Sequence, residues 1–333
     1  MIKRTLTRTF VALAALAIAA AAGWLSHHLT TPRPLPETPF EFAVKTGGSL
    51  RGIATQLATG GILPDAWSFV LLGRVLGRSG QLKAGHYVLV EPLSPAELLD
   101  RLTQGSSVQA EVQFIEGWTL KQVRQALGAH PSLKQETVSL SDAELATAVG
   151  APYPSLEGLI FPDKYFFAVG ASDLSVLRRG YHAMKEELDA AWARRAPGLP
   201  VASPYEALIL ASIVEKETGV SAERSLVAGV FVNRLKRGMK LDTDPAVIYG
   251  LGEKFDGNLR RRDLEADTPY NTYTRAGLPP TPIAMPGRAS LEAALHPAET
   301  NALYFVARGD GTSQFSNTLS EHERAVNKYQ RKR

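Results

Sequence analysis

The chain has 333 residues, of which 44% are hydrophobic, enough for more than one buried core and too many for a disordered polymer. Its 37 Lys and Arg against 33 Asp and Glu leave a net charge of +4, and the sequence pI is about 9.2. This mild basicity suits an anionic surface or polymer without naming one. With no cysteine, disulfides, thiol nucleophiles and thiolate metal sites are excluded, and the seven scattered histidines form no HExxH metal motif.

In chain order, Lys3, Arg4 and Arg8 precede Phe10 to Leu25, sixteen residues without a charge. Continued through Ser26 to Leu29, the stretch reaches the ~20 residues that span a bilayer, with Trp24 as an interfacial residue. The reading favoured here is a membrane anchor over residues 9–29 behind a cytoplasmic tail of 1–8. A cleaved signal peptide stays open because Ala20-Ala21-Ala22 has the small residues a signal peptidase accepts. Either way the positive-inside rule sends the rest of the chain across the membrane, away from ATP, nicotinamide cofactors and nucleic acid.

Residues 30–39 hold four prolines and read as an extended spacer. From there the pattern predicts a strand (40–44), a helix (50–59) stopped by Gly60-Gly61, a helix (66–76), a strand (85–90) and a helix (95–103) ending in Gly105. This is a small α/β module over 40–105 with no cluster of polar side chains suited to catalysis. A second region, 106–333, begins with alternating Val112 and Phe114, a turn at Gly117 and a helix over 119–127. It continues through Leu156-Glu157-Gly158-Leu159-Ile160-Phe161-Pro162-Asp163 to a helix over 174–195 and a break at 197–204.

Ser203-Pro204-Tyr205-Glu206 is a helix start with a capping box, and the helix it opens ends in Glu215-Lys216-Glu217. At 100° per residue Glu217 shares a face with Leu210, Ile213 and Val214, whereas Glu215 points toward Leu208, Ala211 and Ser212. Gly219 is the expected C-terminal cap. Partial burial and the negative end of the helix dipole would both hold a proton on Glu217, making it a general acid. A solvated helix end paired with Lys216 or Arg224 stays open on this pattern.

Downstream, a helix is predicted over 223–235, a helix start at Ala246 after Asp244-Pro245, and a Tyr, Asn and Thr loop at 268–274 suited to sugars. The Arg260-Arg261-Arg262 run reads as solvated surface, and no GxSxG elbow supports a serine hydrolase.

Several ordered motifs together resemble the MltG (YceG-like) endolytic murein transglycosylases. They are Ser212-Ile213-Val214-Glu215-Lys216-Glu217-Thr218, Val232-Asn233-Arg234-Leu235, Thr243-Asp244-Pro245, Tyr249-Gly250, Tyr270-Asn271-Thr272-Tyr273 and Gly277-Leu278-Pro279-Pro280. Pro286-Gly287, His296-Pro297 and Tyr304-Phe305-Val306 follow in the same order. The resemblance implies an α+β protein: an N-terminal transmembrane helix, a LysM-like subdomain at 40–105 and a larger catalytic domain at 106–333. It implies cleavage of the β-1,4 bond between N-acetylmuramic acid and N-acetylglucosamine in nascent peptidoglycan without water, leaving a 1,6-anhydro end. No metal or cofactor is implied. The implied partners are glycan strands, the inner membrane and peptidoglycan synthases, with the catalytic domain periplasmic.

Glu217 is then the acid and subsequent base, and Asp244, Asn271 and Tyr273, with Thr243 and Glu157, are expected to contact substrate or orient the acid. The chain departs from the family pattern at Asp242, where glutamine is usual, and at Ala246. Asp242 would raise the pKa of Glu217 if it lay close. Two alternatives are carried: a non-catalytic peptidoglycan-binding scaffold, and a hydrolase using Glu217 as acid with Asp244 as base.

Overall fold

The computed structural model describes residues 23–36, 40–45, 47–89, 91–104 and 109–330. Residues 1–22 of the expected tail and anchor, and 37–39 of the spacer, lie outside the described residues. The chain falls into two units, one running to Glu111 and including Phe166–Gly170, the other Val112–Tyr165 and Ala171–Arg333.

In the first unit, residues 23–30 are helical, and no helix among the described residues is long and apolar enough to cross a membrane. Leu29 is buried and His28 Nε2 lies 3.2 Å from Asp65 Oδ2, so the last turn of the expected 9–29 span is engaged with protein. Strand β1 (Phe40–Val44) precedes helices α1 (Leu50–Thr59) and α2 (Ala66–Val75), and β2 (Gly85–Leu89) returns antiparallel, pairing Phe40 with Leu89 through Val44 with Gly85.

Both helices start where a short polar side chain accepts a backbone N–H: Ser49 from Gly52 and Asp65 from Ser68. Phe42 and Tyr87, opposite in the register, stack at 5.4 Å over a core that includes Leu57, Phe69 and Leu99. Leu99 comes from α3 (Pro95–Gln104).

Strands β3 (Gln109–Gln113) and β4 (Lys164–Ala168) pair as a two-stranded sheet, and the division between the units passes through both. In the second unit, α4 (Leu120–Gly128) opens on a Thr119/Gln122 capping box. The next helix, α5 (Asp142–Val149), opens on a Ser141/Glu144 box that the periodicity did not predict. Helix α6 (Asp173–Ala193) leads to α7 (Pro204–Glu217), in which every residue from Ala207 to Val214 is buried. This is why α7 shows little amphipathicity: α6, α8 (Arg224–Lys236) and α11 (Arg288–Leu295) pack around it.

Between α8 and α11 come α9 (Asp244–Leu251) and α10 (Arg261–Glu265). The predicted start of α9 at Ala246 moves back to Asp244 because Pro245 is tolerated in a first turn. An antiparallel hairpin, β5 (Tyr304–Ala307) and β6 (Ser313–Ser316), and α12 (Leu319–Tyr329) complete the unit.

Gly158, after the buried Glu157, joins two of the motifs. Its φ is +77°, and a Cβ there would lie 2.3 Å from Pro282 Cβ, so the Glu157–Asp163 segment and the proline-rich loop meet only at a glycine. Gly158→Ala is expected to cost about 2–4 kcal/mol of stability through backbone strain and overpacking, read by urea unfolding.

Candidate active site

Helix α7 begins as predicted, with Ser203 Oγ accepting from Glu206 N at 3.2 Å, though the Glu206 carboxylate reaches back to Ala202 N rather than to Ser203. Its end differs from expectation. Thr218 is extended (φ −141°), its hydroxyl accepts from Val220 N at 3.0 Å, and Gly219 is not in the left-handed region. That local turn closes the helix without a glycine cap and leaves Glu217 as its last residue.

The two neighbours of Glu217 are tied down. Glu215 is almost wholly buried, accepts from Gly287 N at 2.9 Å and lies 3.8 Å from Arg224. Lys216 Nζ donates to Gly117 O at 3.1 Å. The helix end is therefore fixed rather than solvated, with Glu215 as support.

Opposite Glu217 stands the turn that leads into α9. Asp242 has φ +48°, the one non-glycine residue with positive φ among the described residues. The turn is gripped by buried Arg234, whose Nη1 donates to Lys240 O (3.1 Å), Leu241 O (3.0 Å) and Asp242 Oδ2 (2.8 Å), and whose Nε donates to Leu303 O (2.7 Å). Thr272 holds it from the other side, accepting from Thr243 N and donating to Thr243 O.

The result places Thr243 at the N-cap position of α9 with no capping bond; its hydroxyl donates instead to Glu217 Oε1 at 2.5 Å. Asp244 follows, its Oδ1 accepting from the Tyr273 hydroxyl at 2.6 Å. Glu217, Thr243, Asp244 and Tyr273 are thus brought together from three segments distant in sequence.

Burial pushes the Glu217 pKa up to about 7, and the nearby Asp244 charge adds to this, while the Thr243 hydrogen bond and the Arg234 charge oppose it. A half-buried carboxyl with a pKa near neutrality can donate a proton and then take one back. The expectation that Asp242 raises this pKa is not met, because its carboxylate is turned to Arg234 and bonded there. Tyr273 is pushed up by burial and by its bond to Asp244, so it remains a neutral donor.

Two expected residues lie elsewhere. Asn271 is fully buried, its amide nitrogen donating to Asp263 O, Leu264 O and Ala266 O and its oxygen accepting from Tyr273 N. It fixes the loop that carries Tyr273, and no polar atom of its side chain is left over for a sugar. Glu157 is buried at the N-terminus of α4, both its oxygens 3.1 Å from Leu120 N, with the Tyr249 hydroxyl 3.1 Å from Oε2. Burial raises its pKa to about 7 as well, but the groups that act on it, Leu120, Tyr249, Gly158 and Asp142, are not those that act on Glu217.

Arg234 was not singled out by the sequence; within Val232-Asn233-Arg234-Leu235 nothing marks a guanidinium as buried. The Arg260-Arg261-Arg262 run is spent on surface pairs with Asp256, Glu265 and Asp263. Among the described residues no group of three His, Asp or Glu side chains is arranged to hold a metal ion.

Two outcomes follow from this geometry. Thr243→Val removes a bond that favours the carboxylate, so the pH above which activity is lost should move upward while the maximal rate falls about tenfold, read from a pH–rate profile. The second concerns stability. The folded pKa of Glu217 lies above its ordinary value, so the stability this group contributes is fully present below about pH 4.5 and is lost as pH rises through about 7. Glu217→Gln should therefore match the parent at pH 4.5 and exceed it by about 1–3 kcal/mol at pH 8, measured by urea unfolding at both pH values.

The model of the YceG-like family matches residues 42–328. An endolytic murein transglycosylase of Bacillus subtilis (strain 168) is 32% identical over 310 residues, covering 88% of this chain and 85% of the relative. One from Streptococcus pneumoniae (strain D39) is 27% identical over 350 residues, covering 93% of this chain and 63% of that protein. A crystal structure of a yceG-like protein from Listeria monocytogenes aligns with a TM-score of 0.53 at 30% identity, over 86% of this chain and 98% of that one. By the family match over residues 42–328 and the 32% identity across most of both chains, this chain belongs to the YceG-like family.

Proposed function

We propose that this chain is an endolytic murein transglycosylase, a lyase that cuts peptidoglycan glycan strands internally. The observation that carries the reading is the Glu217 carboxyl at the end of the buried helix, held by Thr243 and raised to about pKa 7 by burial, beside an Asp244 whose Oδ1 accepts from the Tyr273 hydroxyl. A hydrolase ordinarily requires an acid and an independent base or nucleophile. Here one group acts twice.

Glu217 gives its proton to the glycosidic oxygen as the bond from C1 of the muramic acid residue breaks, freeing the 4-hydroxyl of the glucosamine residue. The resulting carboxylate then takes the proton of the muramic acid 6-hydroxyl, whose oxygen closes on C1 to form the 1,6-anhydro ring. Glu217 ends protonated, as it began, and no water is consumed. Tyr273, kept neutral, and Asp244 orient sugar hydroxyls at the cleft, and Thr243 orients the acid.

The finer setting belongs to the same proposal. Residues 9–29 anchor the chain in the inner membrane with residues 1–8 cytoplasmic, and 30–39 is the spacer. The β1–α1–α2–β2 module over 40–105 is LysM-like and positions the periplasmic catalytic domain, 106–333, near nascent strands and their synthases. The charge-flanked apolar N-terminus and the antiparallel β1–β2 pair around two helices support this setting.

The test is product analysis by mass spectrometry after incubating the full chain with uncrosslinked glycan strands. New ends should be 1,6-anhydro-muramoyl, and Glu217→Gln should slow their formation by about 10²–10⁴-fold. Reducing muramic acid ends, one water heavier, would replace this reading with the two-carboxylate hydrolase, and unaltered strands would favour the scaffold.

A further inference from the structure

Helix α9 has a second end. Its first residue, Asp244, stands beside Glu217, while Tyr249 and the following Gly252 and Glu253 line a cavity of about 1110 Å³ at the other end. Eight helical residues set these two places about 12 Å apart. The cavity's wall is α4 together with the 135–142 segment, and Glu157, bonded to Leu120 N and the Tyr249 hydroxyl, forms part of its floor.

The lining is not that of a sugar subsite. Tyr249 is the one aromatic residue among the described lining residues; its hydroxyl is bonded to Glu157 and its ring packs against Tyr270 at 4.9 Å, so the lining lacks the set of free rings on which successive sugars stack. Leu120, Ala129, Val138 and Ile248 supply small apolar surface instead, with Val138 71% exposed.

At the rim stand two ion pairs of opposite members: Lys121 Nζ with Glu253 Oε1 at 2.6 Å, and Arg124 with Asp142 Oδ1 at 2.8 Å. The Lys121–Glu253 pair is open to solvent, 62% and 87% exposed, so exchanging it for contacts with a ligand costs little.

We infer that this cavity is a binding site for the peptide that hangs from the muramic acid residue, with Lys121 receiving a carboxylate and Glu253 an ammonium of its terminal diamino acid. The inference rests on the transglycosylase reading and names the part of the substrate the cleft itself does not hold. Three features converge on this occupant. An extended tripeptide spans about 10 Å, comparable with the length of α9 from Asp244 to the cavity. Its alanine methyl suits the small apolar lining. A peptide bearing both charges is complementary to a rim bearing both, whereas a peptide-free strand carries the lactyl carboxylate of muramic acid but no ammonium. Enzyme and substrate would then be read at two points, so strands whose peptides have been removed are bound through the cleft alone.

The test is a binding measurement that does not depend on turnover. Full-chain Glu217→Gln is titrated calorimetrically with a GlcNAc–MurNAc disaccharide carrying the tripeptide L-Ala–γ-D-Glu–meso-diaminopimelate, and with the same disaccharide lacking the peptide. The expected result is at least fivefold tighter binding of the peptide-bearing probe. Adding Lys121→Glu, or separately Glu253→Lys, should reduce that preference to within about twofold while leaving the affinity for the peptide-free probe in place, which also reports an intact fold. Equal or undetectable binding of the two probes by the parent, or a preference that survives both charge reversals, overturns the assignment. Product analysis of the wild type separates the two ideas: anhydro ends without a peptide preference sink the cavity assignment alone, whereas their absence sinks the reaction.

Discussion

The Thr243 hydroxyl sits where a helix cap belongs, yet it donates to Glu217 rather than accepting from its own helix. A threonine cap is worth about 1 kcal/mol, so the start of α9 forgoes local stability to hold the acid. The rest of the site is the apparatus that makes this possible. Asp242 takes a left-handed conformation so that the chain can turn into α9, Arg234 satisfies two carbonyls and the carboxylate of that turn, and Thr272 bonds both the N–H and the C=O of Thr243. Any of these groups alone would leave a polar atom buried without a partner; together they close the accounts of one another.

Two carboxyls in the same unit are pushed to about 7 by burial, and their surroundings assign them different work. Glu157 is 4% exposed and spends both oxygens on the Leu120 amide and the Tyr249 hydroxyl, so it shapes the base of α4 and the floor of a cavity. Glu217 is half-buried and takes a single hydrogen bond from a side chain, which leaves the remainder of the carboxyl for a substrate. Holding such groups in the fold is unfavourable at neutral pH. Burying one apolar side chain contributes about 1.5–3 kcal/mol, and α7 alone buries several, so its hydrophobic length offsets the acid at its end.

Departures from the sequence-level expectations cluster around this acid. The glycine cap at Gly219 is replaced by the Thr218 turn, the charge of Asp242 is absorbed by Arg234, and Asn271 serves the loop instead of a sugar. Each departure involves a polar side chain whose pattern permits several partners and whose real partner comes from another segment. The family motifs locate these residues correctly as a neighbourhood; they do not say which atom bonds to which.

What the sequence determined by itself is local or periodic. Ser203 marks a helix start because a cap bond spans two or three residues, periodicity placed helices over 50–59, 66–76 and 119–127, and helix phase alone separated Glu217 from Glu215. The α5 capping box, Ser141 to Glu144, is equally local. Only the tertiary structure decided that Thr243, 26 residues away, would meet Glu217, that Arg234 would be buried under the 240–242 turn, and that Glu157 would face Tyr249 across 92 residues. Such contacts depend on how α7, α8 and α9 pack, and packing is set by the fit of whole surfaces rather than by the spacing of residues within any one of them.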